Sequence, residues 1–118
     1  MGDKNPVIEA IRARRSVRQF TSEPVSDDAL NQILESAVWA PSGKNNQAWK
    51  FAIIQDAVLK ESLATLTHSG SIIRGAPICI GVFLDYSRVY DRTKDVQAGG
   101  ACIQNLLLAI HSLGLGGV

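Results

Sequence analysis

The chain has 118 residues, 46% of them hydrophobic, and a formal charge of +1 from 12 basic and 11 acidic side chains. This hydrophobic content excludes a disordered chain, and the balanced charge excludes a general field for nucleic acid or anionic membrane. The length allows one domain, 1–118, in which folding hides only about 60 to 70% of the unfolded surface.

The opening Met1-Gly-Asp-Lys-Asn-Pro has no apolar leader, so the sequence predicts a soluble, cytoplasmic protein. Asn5-Pro6 then starts a helix, a capping side chain followed by proline at the first helical position. Ile8 and Ile11, with Ala10, are expected on its buried face. It runs into Arg12-Ala-Arg-Arg, where basic groups suit the negative end of the helix dipole.

The segment Arg14-Arg15-Ser16-Val17-Arg18-Gln19-Phe20 leaves that helix with three guanidinium groups and a hydroxyl in five residues. Arg14, Ser16 and Arg18 are two apart, so an extended backbone points them to one side. Forked donors beside a hydroxyl suit a phosphate monoester, which offers only acceptors. The same cluster also fits the plainer role of charge at a helix end.

Ser26 caps a second helix with Asp27 and Asp28 in its first turn and Leu30, Ile33, Leu34 and Ala37 as its core stripe. It ends near Trp39-Ala40, before Pro41. Pro41 to Gln47 is an uninterrupted run of loop-forming and amide- or hydroxyl-bearing residues, the composition of either a ligand-holding loop or a solvated connection. Trp49 to Gln55 reads as a strand and Ala57 to Thr67 as a third helix with Leu59, Leu63 and Leu66 inward. Ile72 to Ala76 has no clear assignment. Pro77 to Leu84 is a continuous apolar run, expected as a strand covered on both faces. Asp85 to Lys94 is a charged connection.

Asp95 to Gly114 closes the series, and no residue charged at neutral pH follows Asp95. Gly99, Ile103, Leu106, Ile110 and Leu113 form one stripe at helical spacing; Ala98, Cys102, Asn105 and Ala109 form a second, of small side chains. The pattern predicts a buried helix with Asp95 as N-cap, Gly114 as its left-handed stop, and Gly99-Gly100 where another backbone comes close. Gln97, Gln104, Asn105 and His111 interrupt the run, so a membrane span is excluded.

The chemistry narrows by elimination. Cys79 and Cys102 lie in apolar runs and read as reduced core thiols; His68 and His111 have no partner at metal-ligand spacing, so no metal is expected. No nucleophile motif or Walker loop occurs, and no side chain is assigned a catalytic role. An enzyme without its own reactive groups borrows them from a cofactor, and the Arg/Ser cluster suggests one with a phosphate.

Arg-Arg-Ser-Val-Arg-Gln-Phe resembles the opening motif of the nitroreductase family of FMN enzymes. Ala-Pro-Ser-Gly-Lys-Asn-Asn-Gln-Ala-Trp-Lys-Phe is similar to the family's second motif, Ala76-Pro77 to the start of its central strand, and Asp95 to Gly114 with Leu-Gly-Gly after it to its long central helix. The resemblance implies an α+β sandwich, with helices flanking a mixed, mainly antiparallel sheet and a central buried helix. It also implies a homodimer with FMN at its interface. By position, Arg14, Arg15, Ser16 and Arg18 would meet the FMN phosphate and ribityl end or the nearby ring edge. Pro41, Ser42, Gly43 and Asn45 would line the isoalloxazine from the partner subunit.

The implied reaction is ping-pong, with hydride passing from NADH or NADPH through FMN to a nitroaromatic, quinone or similar acceptor. Dehalogenation or flavin breakdown on the same flavin is the alternative, and a non-catalytic fragment a third. Ala48 stands where the family usually has proline. Family members also continue past the position of Val118 through a strand, a helix and a late basic residue. A further segment is therefore expected to pack against these 118 residues, which otherwise form an incomplete domain truncated at the C-terminus.

Overall fold

A computed structural model of the protein describes residues 4–118; residues 1–3, where a leader would begin, lie outside that range. Local chemistry sets the first elements. The Asn5 side chain accepts from the backbone N–H groups of Val7 and Ile8 at the head of α1, Pro6–Ala13. Ser26 accepts from Ala29 N–H at the head of α2, Asp27–Val38. A single 3-10 turn at Gly43–Asn45 leads into β1, Trp49–Ile54. Asp56 caps α3, Ala57–Ala64, and α4, Gly70–Gly75, precedes β2, Cys79–Leu84. Helix α5, Arg92–Ser112, is the longest at 21 residues, about 30 Å of rise. Gly114 ends it at φ +75, where a residue with a Cβ would be strained.

The two strands pair antiparallel, from Trp49 opposite Leu84 to Ile54 opposite Cys79. Trp49, Phe51, Ile80 and Val82 share the face turned to α5. On the helical side, α2 lies along α5 with Ile33, Ala37, Cys102 and Leu106 between them, and the Asn105 amide donates to the Ser36 carbonyl at 2.9 Å. Beyond the hairpin, Ser16 and Gly117 form an isolated parallel bridge, with Val17 N–H donating to Gly117 O at 3.0 Å. The architecture is α+β as expected, its sheet limited to two strands and one bridge among the described residues.

Tertiary packing overrides the pattern reading in five places. The N-cap of α5 is Asp91, whose side chain accepts from Lys94 N–H; Asp95 sits a turn further in and is buried. The buried seam of α5 is Asp95, Ala98, Gly99, Cys102 and Leu106, while Ile103 is 43% exposed, because α2 packs on the face that carries Cys102 and Leu106. Nothing in α1 is buried: Ile8 and Ile11 are exposed because, among the described residues, no other element covers that face. Helix α3 stops at Ala64, leaving Leu59 and Leu66 in solvent and Ala64 as its buried contact. In β2, Phe83 is 58% exposed, because α5 covers one face of the hairpin and the side chains alternate. The unassigned Ile72–Ala76 stretch belongs to α4.

Among the described residues, no helix is long and apolar enough to cross a membrane, and no cluster of His, Cys, Asp and Glu could hold a metal ion.

Candidate functional site

The basic cluster begins where α1 ends. Arg14 is the C-cap, and its N–H donates to Ala10 O at 3.0 Å. Val17 turns inward against Gly116, so Ser16 and Arg18, both exposed, face the opposite way. The guanidinium groups of Arg14 and Arg18 make no ion pair or hydrogen bond among the described residues. Arg15 differs. Its Nη1 donates to the carbonyls of Arg12 at 2.7 Å and Arg14 at 2.8 Å, closing the end of α1. An anion placed here meets two uncommitted guanidinium groups and a hydroxyl, while the third guanidinium serves the helix. That donor set fits a phosphate group.

The second cluster is a strained loop. Lys44, Asn45 and Gln47 have φ of 53, 52 and 50, the left-handed region that costs a side-chain-bearing residue about 1–2 kcal/mol. Asparagine tolerates it best; lysine and glutamine do not. Such geometry persists only where surrounding contacts over-determine it. Ser42 Oγ accepts from Gln47 N–H at 3.2 Å, and Gln47 Nε2 donates to Asn45 Oδ1 at 2.9 Å. A Cβ on Gly43 would collide with the Tyr90 hydroxyl, so only glycine fits there as the ring stands. The ammonium groups of Lys44 and Lys94 lie 4.7 and 5.8 Å from the Tyr90 ring centre. Pro41 and Asn45 are exposed and Ser42 and Gly43 half-buried.

Beneath the loop lies Asp95, 1% exposed. Its Oδ1 accepts from Asn46 Nδ2 at 2.6 Å, and its Oδ2 from the N–H groups of Tyr90 and Asp91 at 2.9 and 3.0 Å. Burial pushes this carboxyl up, but the Asn46 amide and the N–H groups of Asp91 and Tyr90 outweigh it and hold it below the usual carboxylate range. Asn46, Tyr90 and this role of Asp95 are absent from the sequence reading. The available signal was an acid standing at the threshold of a long uncharged helix.

A wide cleft lies elsewhere. It encloses about 700 Å³ and is lined mainly by apolar side chains of β2, α5 and the 114–118 segment, with Phe20, Leu30 and Ile73 closing it. No lysine, arginine or histidine reaches it, so its chemistry is wrong for a phosphate. The candidate cofactor residues beside its lining in sequence, Ser16 and Arg18 on either side of Val17, face away.

No hydrogen bond or ion pair joins 14–18 to 41–47 among the described residues. The reason is their placement. Ser16 pairs with Gly117, past the C-terminus of α5, whereas Asn46 holds Asp95 in its first turn. Gly117 rests on Leu107 and Ile110, so the two clusters sit toward opposite ends of the same helix, about 20 Å apart along its axis.

The family model described as the nitroreductase family matches residues 11–77, a stretch holding all eight candidate site residues. The chain belongs to that family. A Methanothermobacter thermautotrophicus protein provisionally named NADH dehydrogenase/NAD(P)H nitroreductase is 34% identical over 98% of this chain and 60% of its own length. A Vibrio harveyi NADPH-flavin oxidoreductase is 31% identical over 97% of this chain and 52% of its own length. A solved structure of a provisionally named nitroreductase in complex with FMN, from Desulfovibrio desulfuricans, has a TM-score of 0.94 at 51% identity, covering 97% of this chain and 67% of that one. The chain thus spans between about half and two thirds of the proteins it matches.

Proposed function

We propose that this chain is the FMN-binding portion of a homodimeric, NAD(P)H-dependent flavin oxidoreductase whose acceptor is a nitroaromatic, a quinone or a related compound. The observation that carries the reading is the separation of two complementary half-sites along α5. In a two-fold pair with the α5 helices antiparallel, Arg14, Ser16 and Arg18 of one subunit meet Pro41, Ser42, Gly43 and Asn45 of the other, twice over. An unpartnered apolar surface supports such a pairing: Val7, Ile8 and Ile11 of α1 and Trp39, 79% exposed, are uncovered in the single chain. So do the FMN in the Desulfovibrio desulfuricans structure and the flavin chemistry in the name of the Vibrio harveyi relative.

FMN held by these residues would supply the hydride-transfer chemistry between NAD(P)H and the acceptor, in two half-reactions with ping-pong kinetics. The chain's own residues supply binding and placement. Arg14 and Arg18 neutralise the phosphate, Ser16 donates to it, and the 41–47 loop sets the wall against which the ring system rests. Localisation in the cytoplasm and a single incomplete domain over 1–118, completed by a further segment, belong to the same reading.

The test is to purify the protein and titrate it with FMN, following flavin fluorescence, with sedimentation on the same samples. One FMN per chain in a dimer, reduced by NADH or NADPH and reoxidised by a quinone with parallel-line kinetics, is the expected result. A monomer with no affinity for FMN refutes the proposal.

A further inference from the structure

The 42–47 loop carries three residues in the left-handed region but is anchored by few contacts of its own. Its main tie to the rest of the protein is the Asn46 side chain. Nδ2 donates both to Asp95 Oδ1 at 2.6 Å and to the Arg88 carbonyl at 3.1 Å. Two acceptors fix which way the amide points, since flipping it would set oxygen against oxygen. The amide's own Oδ1 is buried with no hydrogen-bond partner among the described residues, a cost that the two bonds at Nδ2 offset. Asp95 in turn gathers the N–H groups of Tyr90 and Asp91, and Tyr90 is the residue whose hydroxyl fills the space beside Gly43. One buried carboxylate therefore joins the loop, the 88–91 connection and the head of α5.

We propose that Asp95, acting through the Asn46 amide, is the positioning residue that holds the 42–47 loop in its left-handed shape and so sets the wall offered to the flavin ring. The second half of this statement rests on the FMN reading above; the first does not. Asp95 touches no cofactor itself. Releasing the clasp lets Lys44, Asn45 and Gln47 relax toward ordinary backbone, and the wall is lost without loss of the fold.

The test uses the full chain, first without flavin. Lys44 is exposed at the crest of the loop, so trypsin reports loop opening by cleavage after it. When cleavage is slow relative to reclosing, its rate follows the open population. A charge-assisted hydrogen bond lost from the closed state raises that population by about ten- to a hundredfold. Asn46→Ala and Asp95→Asn should each accelerate cleavage after Lys44 by that factor, with cleavage after Arg74 unchanged. Exchanging donor and acceptor in Asp95→Asn/Asn46→Asp re-forms the contact to residue 95 in reverse but leaves the Arg88 carbonyl without its donor, so it should recover part of the protection, whereas Asn46→Asp alone opposes two carboxylates and should be the worst of the set.

Should Asp95→Asn fail to fold, Asn46→Ala decides the matter. Unchanged cleavage after Lys44 overturns the proposal, and so does a rise at every tryptic site together, which marks a merely structural role. FMN affinity is then measured well below the unfolding temperature. At least about tenfold weakening in the single variants, partly recovered in the exchanged pair, supports the link to the flavin. Unchanged affinity with a loosened loop overturns that link. If the unmodified protein binds no FMN, the functional reading falls, while the clasp is decided by proteolysis alone.

Discussion

Gly99 and Gly100 stand in the interior of α5, where glycine costs about 1 kcal/mol relative to alanine. Neither is explained by packing within the chain. A Cβ on Gly99 would meet only Leu84 Cδ2 at 3.9 Å, an ordinary contact, and one on Gly100 would meet nothing within 4 Å. For an isolated chain, Gly100→Ala is therefore pure gain: about 1 kcal/mol of helix propensity, raising the unfolding midpoint by several degrees in a domain of this size. If a second copy packs along this face of α5, as in the proposed dimer, the sign reverses. The added methyl then intrudes on a close contact, overpacking costs about 1–3 kcal/mol, and the midpoint falls and depends on protein concentration. Thermal unfolding of Gly100→Ala at several concentrations, with sedimentation of the same samples, separates the two. Gly99→Ala serves as the internal control, because its methyl stays within the subunit and should stabilise in either state. A higher, concentration-independent midpoint for Gly100→Ala, with monomeric mass throughout, refutes the idea that α5 meets a partner there.

Three further outcomes follow from the same geometry. Arg14→Ala and Arg18→Ala should each weaken FMN binding by about ten- to a hundredfold, whereas Arg15→Ala should leave it nearly unchanged, because the Arg15 guanidinium is engaged by the end of α1; fluorescence titration checks both. Asp85 is held down from the ordinary 3.8 to about 2 by the hydroxyl and N–H of Ser87 and by Lys50. A carboxyl depressed in the folded state contributes stability that is present above pH 3.8 and lost as pH falls toward 2. Chemical unfolding across that window should thus show a shallower acid loss for Asp85→Asn than for the unmodified protein. Leu106→Ala should cost about 2–5 kcal/mol, toward the lower end because the side chain already borders the open cleft; urea unfolding measures it.

Local chemistry was legible because it acts within a few residues. Asn5-Pro6, Ser26 and Gly114 mark helix ends through bonds to the next turn or through a backbone conformation, and the structure has caps or a stop at all three. The two strands followed from two β-rich runs, though their antiparallel pairing and register needed the tertiary structure. Family membership was equally legible, since its motifs are contiguous residues whose types are dictated by close chemistry.

What the sequence determined by itself was therefore most of the elements, α4 excepted, the caps of α1 and α2 and the stop of α5, and the residue types gathered at 14–18 and 41–47. Only the tertiary structure decided which faces those elements bury and where the clusters lie. Asp95 reads equally well as a cap, and its burial beneath Asn46 depends on a contact 49 residues away. Ile8 and Ile11 have the spacing of a core face, but spacing cannot say whether anything in the same chain will cover it. The two clusters lie 23 to 33 residues apart in sequence, yet α5 holds them at its opposite ends. Periodicity reports that a face is apolar; only packing, a sum of non-local contacts, selects what it meets.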